Sequence, residues 1–155
     1  MITIRKATTE DLSILYEFEQ GVLHAERPMD KTLKASKTFY YDIPNLISDQ
    51  TAELVIAEIN GVITGCGYAR IKQARDCFQF DQFSYLGFMF TKEDYRGKGV
   101  NKTIMNYLYD WSISKGIYEI RLEVYPSNNA AIKAYEKVGM QATMNTMRID
   151  LRNRS

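Results

Sequence analysis

Several marks of specialised protein classes are missing from this sequence. It has only two cysteines, Cys66 and Cys77, which make neither a metal-ligand pattern nor a disulfide framework, so a reducing, cytoplasmic setting is the expectation. No apolar run approaches the length of a membrane span, and the N-terminus lacks the pattern of a signal peptide. The formal charge of +1 argues against a chain built to coat nucleic acid. Repeats, low-complexity tracts and linkers are absent. What is present is ordinary for a soluble globular protein, with 45% hydrophobic and 25% charged residues. A chain of 155 residues can bury a real core as one domain, residues 1–155.

Residues 2–7 alternate as a short strand, and Thr8, Thr9, Glu10 and Asp11 supply a helix start with acidic residues in the first turn. Leu12, Leu15, Phe18 and Leu23 form the apolar stripe of that helix, with Gly21 and Pro28 around its end. Residues 30–41 predict a second helix and 44–49 a further turn. Strands 53–59 and 62–71 are separated by Asn60-Gly61, a pair suited to a tight hairpin because both residues tolerate positive φ. Gly65 and Gly67 inside the second strand signal a bulge or a close backbone approach. After the polar stretch 72–82, the aromatic-rich segment 83–91 reads as a strand. A helix over 102–115 places Ile104, Leu108 and Trp111 on one face and stops at Gly116. Residues 118–125 predict a strand, Ser127 or Asn128 caps a helix reaching about 138, and 141–151 is a last extended segment before a frayed basic tail, 152–155. The order β-α-α-β-β-β-α-β-α-β gives an α/β protein with a mixed sheet.

The stretch Tyr95-Arg96-Gly97-Lys98-Gly99-Val100-Asn101 lies where a strand gives way to a helix. A glycine-containing turn there gathers unpaired N–H groups at the positive end of the helix dipole and makes an anion site. Arg96 and Lys98 add charge. The Ser/Thr and spacing of a nucleotide P-loop are lacking, which argues against ATP.

This stretch resembles the Arg-x-x-Gly-x-Gly/Ala pyrophosphate loop of the GNAT N-acetyltransferase superfamily, matching at Arg96 and Gly99 and departing at Asn101. A second block resembles the downstream pattern of that family: Leu122-Glu123-Val124, then Asn128, Ala131, Tyr135 and Gly139, with Met140 in place of the usual Phe. Leu-Glu-Val is similar to the ribosomal-protein alanine acetyltransferase branch. The resemblance implies an acyl-CoA N-acyltransferase fold in which strands 83–91 and 118–125 splay around the pantetheine arm. It implies acetyl-CoA as co-substrate, no metal, and a cofactor site built from Met89, Phe90, Thr91, Arg96, Gly97, Lys98, Gly99, Val100, Asn101, Asn128 and Tyr135. Dimers are common in the family, so a homodimer is carried as an expectation.

Acetyl transfer to an amine needs a neutral nucleophile. A lysine with pKa near 10.4 costs roughly 4–5 kcal/mol to neutralise at pH 7, an α-amine near 8 only about 1. The resemblance assigns the oxyanion donors to backbone N–H groups of Met89, Phe90 and Thr91, and the acid for the departing thiolate to Tyr135. Tyr135 also suits a core aromatic at helical spacing from Ala131 and Val138. Glu123 is the candidate base, its neighbours Leu122 and Val124 being apolar, with pairing to Arg121 or Arg148 as the plain alternative. Segment 83–91 contains no Asp or Glu, so a base placed there in some relatives is missing. His24 could line the acceptor side but reads as structural or solvated; Glu19, Glu26 and Asp30 could receive a cationic amine but read as a solvated helix face; Trp111 reads as core. The resulting expectation is acetyl transfer from acetyl-CoA to a primary amine of a small molecule, peptide or protein, by direct attack in a ternary complex. Nucleic acid and membrane are not expected partners. A non-catalytic acyl-CoA-binding or sensing module, and transfer of another acyl chain, are the alternatives.

Overall fold

The computed structural model describes residues 1–154. They form two compact units, residues 1–123 and 124–154. Ser155, the end of the basic tail, lies outside the described residues.

The first unit is a five-stranded mixed sheet in the order β1-β2-β3-β4-β5. The strands are β1 (Ile2–Lys6), β2 (Ala52–Ile59), β3 (Val62–Gln73), β4 (Gln82–Thr91) and β5 (Ile120–Arg121). The first four pair antiparallel and β5 joins β4 in parallel. The β2–β3 hairpin turns at Asn60 (φ 52°) and Gly61 (φ 77°), the positive dihedrals that the Asn-Gly pair predicts.

Helix α1 (Leu12–Glu26) and α2 (Ile43–Ser48) cover one face of the sheet. Leu15, Phe18 and Val22 of α1 and Ile43 and Leu46 of α2 pack with Leu54, Ile56, Cys66 and Phe88 in one core cluster. Full burial of each large apolar side chain contributes about 1.5–3 kcal/mol. The start of α1 is fixed by charge. Arg5 donates to both Asp11 carboxylate oxygens at 2.8 and 2.9 Å, and the Thr8 amide donates to Asp11 Oδ2 at 2.8 Å. These hydrogen bonds, Arg5 foremost, hold the Asp11 carboxyl below the usual carboxylate range.

Helix α3 (Val100–Ser114) lies on the opposite face. Its inward positions are Val100, Ile104, Met105, Leu108 and Ser112. Trp111, expected in the core, is only half-buried, because Ser112 takes the inward position and bonds Ser84 of β4 at 2.8 Å.

Three sequence expectations need correction. Residues 30–41 form no helix, and the helical turn falls only at α2. The reason is local: Asp30 folds its carboxylate onto the Thr32 amide and hydroxyl (3.0 and 2.6 Å), a turn that competes with helix. The strand expected over 118–125 shrinks to Ile120–Arg121. Among the described residues no strand falls in the segment 141–150, whose Met144, Met147 and Ile149 are exposed, their spacing of three and two residues fitting no single face of a strand.

The second unit contains α4 (Asn129–Lys137), capped by the Asn128 side chain, which accepts from the Ala131 amide at 3.2 Å. A short 3-10 turn at Leu151–Asn153 follows, with Arg152 folded onto Asp150. No helix among the described residues is long and apolar enough to cross a membrane.

Candidate active site

The site begins with an irregularity in β4. The β3–β4 register passes from Cys66 opposite Phe90 to Tyr68 opposite Gly87, so Gly67 faces two residues, Phe88 and Met89. Phe88 adopts φ 54°, a left-handed conformation that few non-glycine residues hold, least of all bulky ones. The extra residue reverses the facing pattern of the strand. Before it, Ser84 bonds α3 while Tyr85 packs on the α1/α2 core; after it, Phe90 packs against Phe18 of α1, the rings tilted and their centroids 4.7 Å apart. Met89 meanwhile lies where a Cβ on Gly67 would collide with it, at 2.6 Å from Sδ, so this glycine marks the close approach its position in the strand signals. Bulges leave backbone groups outside the ladder and recur beside active sites. On the other edge, β4 pairs with β5 only at Ser84 and Tyr85. Among the described residues, no strand therefore covers the β5-side edge of residues 86–91.

Beyond β4 the chain makes a 3-10 turn (Glu93–Tyr95) and enters the loop before α3. Gly97 and Gly99 have φ 75° and 86°, and nothing lies within 4 Å of where a Cβ would stand on either. Gly99 is the N-cap of α3 and offers no side chain to its first-turn amides. A fifteen-residue helix thus presents uncapped N–H groups into open space, which suits a pyrophosphate. Arg96 and Lys98 are exposed there, and Arg96 Nε donates back to the Thr91 carbonyl at 3.3 Å, tying the loop to the end of β4. Val100 is buried as a core anchor. Asn101, the departure from the family pattern, donates along the helix to Met105 Sδ at 3.7 Å.

Glu123 closes the first unit just past β5 and is exposed, not enclosed by apolar strand neighbours as expected. Arg121, its suggested partner, pairs with Glu119 instead at 3.7 Å. The charge of Glu123 bears on two tyrosine hydroxyls: burial first, then Glu123, pushes Tyr85 up, and the same two causes raise Tyr68 against the opposing pull of Arg70. Asn128 and Tyr135 belong to the second unit, the former as the cap of α4 and the latter half-buried on that helix.

A set of residues carrying no motif surrounds the β4 bulge. Tyr41 stacks on Phe88 at 4.5 Å and meets Tyr68 edge-on at 6.0 Å; Tyr68 in turn neighbours Tyr85 at 6.5 Å. Gly87 makes room for this, since a Cβ there would stand 2.5 Å from the Tyr68 ring and hydroxyl. Helix α1 fastens the segment that delivers Tyr40 and Tyr41. Glu19 Oε2 accepts from both of their amides (2.9 and 2.8 Å), Gln20 donates to the Thr38 carbonyl (2.9 Å), and Arg27 donates to the carbonyls of Lys34 and Ser36. Glu26 accepts from the Tyr40 hydroxyl at 2.6 Å. The reading of Glu19, Glu26 and Asp30 as a solvated face is therefore corrected: Glu19 and Asp30 are buried, and Glu26 is half-buried and bonded. His24 is exposed, as a solvated residue should be. A cleft of about 870 Å3 opens along Tyr40 and Tyr41, between α1 and the approach to α2.

The comparisons agree with this architecture. Among curated protein sequences nothing matches. Solved structures do. A predicted acetyltransferase from Clostridium acetobutylicum, determined with acetyl-CoA, superposes with a TM-score of 0.74 at 20% identity, over 99% of both chains. A tetramutant of the BH1408 protein from Bacillus halodurans gives 0.85 at 19% identity, over 96% of this chain and 99% of that one. Glucosamine-6-phosphate N-acetyltransferase from Arabidopsis thaliana gives 0.69 at 21%, over 97% and 98%. The family model for acetyltransferases of the GNAT family matches residues 14–140, and the chain belongs to that family.

Proposed function

We propose that this protein is an acetyl-CoA-dependent N-acetyltransferase that acetylates a primary amine by direct attack within a ternary complex. The observation that carries the reading is the uncapped head of α3, with two positive-φ glycines in open space, tied through Arg96 to the bulged end of β4. Acetyl-CoA supplies a thioester whose acyl carbon passes to the amine nitrogen while CoA leaves as the thiol.

The residues divide the work. The loop from Arg96 to Asn101 holds the pyrophosphate through first-turn amides and two cations. Backbone N–H groups of Met89, Phe90 and Thr91 donate to the developing oxyanion. Asn128 serves the pantetheine arm while its side chain caps α4, the two roles being compatible. Tyr135 gives the proton that the departing sulfur needs, and Glu123, directly or through water, accepts the proton of the amine. Direct attack is favoured because Cys66, the cysteine nearest the bulge, is fully buried and its thiol is pushed well up by that burial, which disqualifies it as an acyl-carrying nucleophile.

The test is steady-state turnover of acetyl-CoA with a panel of primary amines. Tyr135→Phe is expected to lower kcat about 100-fold with acetyl-CoA affinity retained; an unchanged kcat removes Tyr135 from the acid role. Glu123→Gln should displace the acidic limb of the pH–rate profile, and an unmoved limb would return Glu123 to structure. Tight acetyl-CoA binding with no turnover across the panel would establish a binding module in place of an enzyme.

A further inference from the structure

Gly21, expected near the end of the first helix, stands well inside α1. A glycine within a helix is destabilising relative to alanine, so its presence there asks for a reason in packing. The reason is Phe90. A Cβ on Gly21 would stand 2.7 Å from Phe90 Cε2 and 2.9 Å from Cζ, closer than carbon atoms approach one another.

Phe90 has little room to yield. On one side its ring packs against Phe18, with centroids 4.7 Å apart. On the other, its backbone is paired into β3 opposite Cys66, and a Cβ on Gly65 would come 2.5 Å from its carbonyl oxygen. The ring has two torsions, each confined to a few wells, so a push on its edge is passed to the Cα.

That backbone carries the proposed oxyanion donors. The Phe90 carbonyl and the Thr91 amide share one trans peptide and point in opposite directions. With the carbonyl against Gly65 of β3, the Thr91 N–H is aimed at the edge of β4 that no strand covers among the described residues. The next amide, that of Lys92, donates back to the Thr64 carbonyl of β3 at 2.8 Å, as the alternation of a strand requires.

We infer that Gly21 is a positioning residue for acetyl transfer. By leaving α1 without a side chain opposite Phe90, it lets the helix and Gly65 clamp that residue from two sides, and the clamp fixes the aim of the Thr91 amide. The inference rests on the N-acetyltransferase reading above and adds to it a residue outside the proposed contacts with either ligand. Gly65, the opposing jaw, has a second contact: its absent Cβ would stand 3.1 Å from Val100 Cγ1, at the first residue of α3. Gly21 therefore bears on the transfer end of β4, and Gly65 on that end and on the head of α3 as well.

The experiment uses the primary amine of the panel that turns over fastest. Gly21→Ala should lower kcat about 10- to 100-fold, the effect of a misplaced donor, while acetyl-CoA affinity by calorimetry stays within about 3-fold. Retained affinity also shows that the variant is folded. Phe90→Leu removes the ring edge that a Cβ at position 21 would strike. Gly21→Ala combined with Phe90→Leu should therefore keep kcat within about 3-fold of Phe90→Leu alone, a coupling expected only if the two residues act through their contact. Gly65→Ala should lower kcat and acetyl-CoA affinity together, each by about 10-fold or more. An unchanged kcat in either glycine variant would overturn the inference and leave the N-acetyltransferase reading intact. A Gly21→Ala loss that Phe90→Leu does not suppress, or one matched by an equal loss of acetyl-CoA affinity, would overturn it as well. A wild type that binds acetyl-CoA but turns over no amine would sink the reading and the inference together.

Discussion

The two sides of the candidate site are built by opposite means. The loop entering α3 is local: six consecutive residues, Arg96 to Asn101, set its glycine dihedrals, its charges and its uncapped amides. The tyrosine wall is assembled at long range. Tyr40 and Tyr41 come from the segment after α1, Tyr68 from β3 and Tyr85 from β4, with Glu26 and Glu19 from α1. The loop is backbone chemistry, which a short sequence pattern records. The wall is side-chain convergence, which it does not. On the proposed reading, the first kind of site meets the co-substrate and the second the acceptor.

Perturbing each side separately should break this contrast or sharpen it. The largest expected effect is on the wall. Glu19→Ala leaves the amides of Tyr40 and Tyr41 without their acceptor, at a cost of about 2–3 kcal/mol in stability. It should also raise the acceptor KM while sparing acetyl-CoA affinity, as denaturant unfolding and calorimetry can establish; equal damage to both ligands would mean the two sides are not independent. Next is the loop. Gly99→Val forces a β-branched residue into a left-handed conformation, costing about 1–3 kcal/mol. Acetyl-CoA affinity should fall roughly 10- to 100-fold, because the loop escapes that strain by leaving the binding conformation and the ligand must restore it. If affinity holds, the pyrophosphate lies elsewhere. The smallest effect is expected at Asn101. Its side chain turns along the helix toward Met105, so Asn101→Ala should change acetyl-CoA affinity by less than about 3-fold, well under 1 kcal/mol. A larger change would give the departure from the family pattern a direct part in binding.

The same contrast explains what could be read in advance. The first helix, the Asn-Gly hairpin, the glycine signals at Gly65 and Gly67 and the head of α3 all depend on neighbours within a few positions, and the structure has them where the sequence places them. Residues 30–41 form no helix because Asp30 and Glu19 settle the chain by hydrogen bonds that a local reading does not express. Glu26 fits a solvated helix face by spacing alone, while its hydrogen-bond partner, Tyr40, lies fourteen positions later. Glu123 lies past the end of β5, whose pairing stops at Arg121, a boundary that local propensity does not set. The bulge at Phe88 and Met89 had a signal only on the opposite strand, in Gly67.

The account turns on direct transfer between two ligands held together, and initial-rate kinetics test this most directly. Rates measured against acetyl-CoA at several fixed concentrations of a primary amine that turns over in the panel should give double-reciprocal lines that intersect, because both ligands must be bound before acetyl passes. Parallel lines would show the acetyl group leaving acetyl-CoA for the protein before the amine arrives, and would contradict the ternary complex.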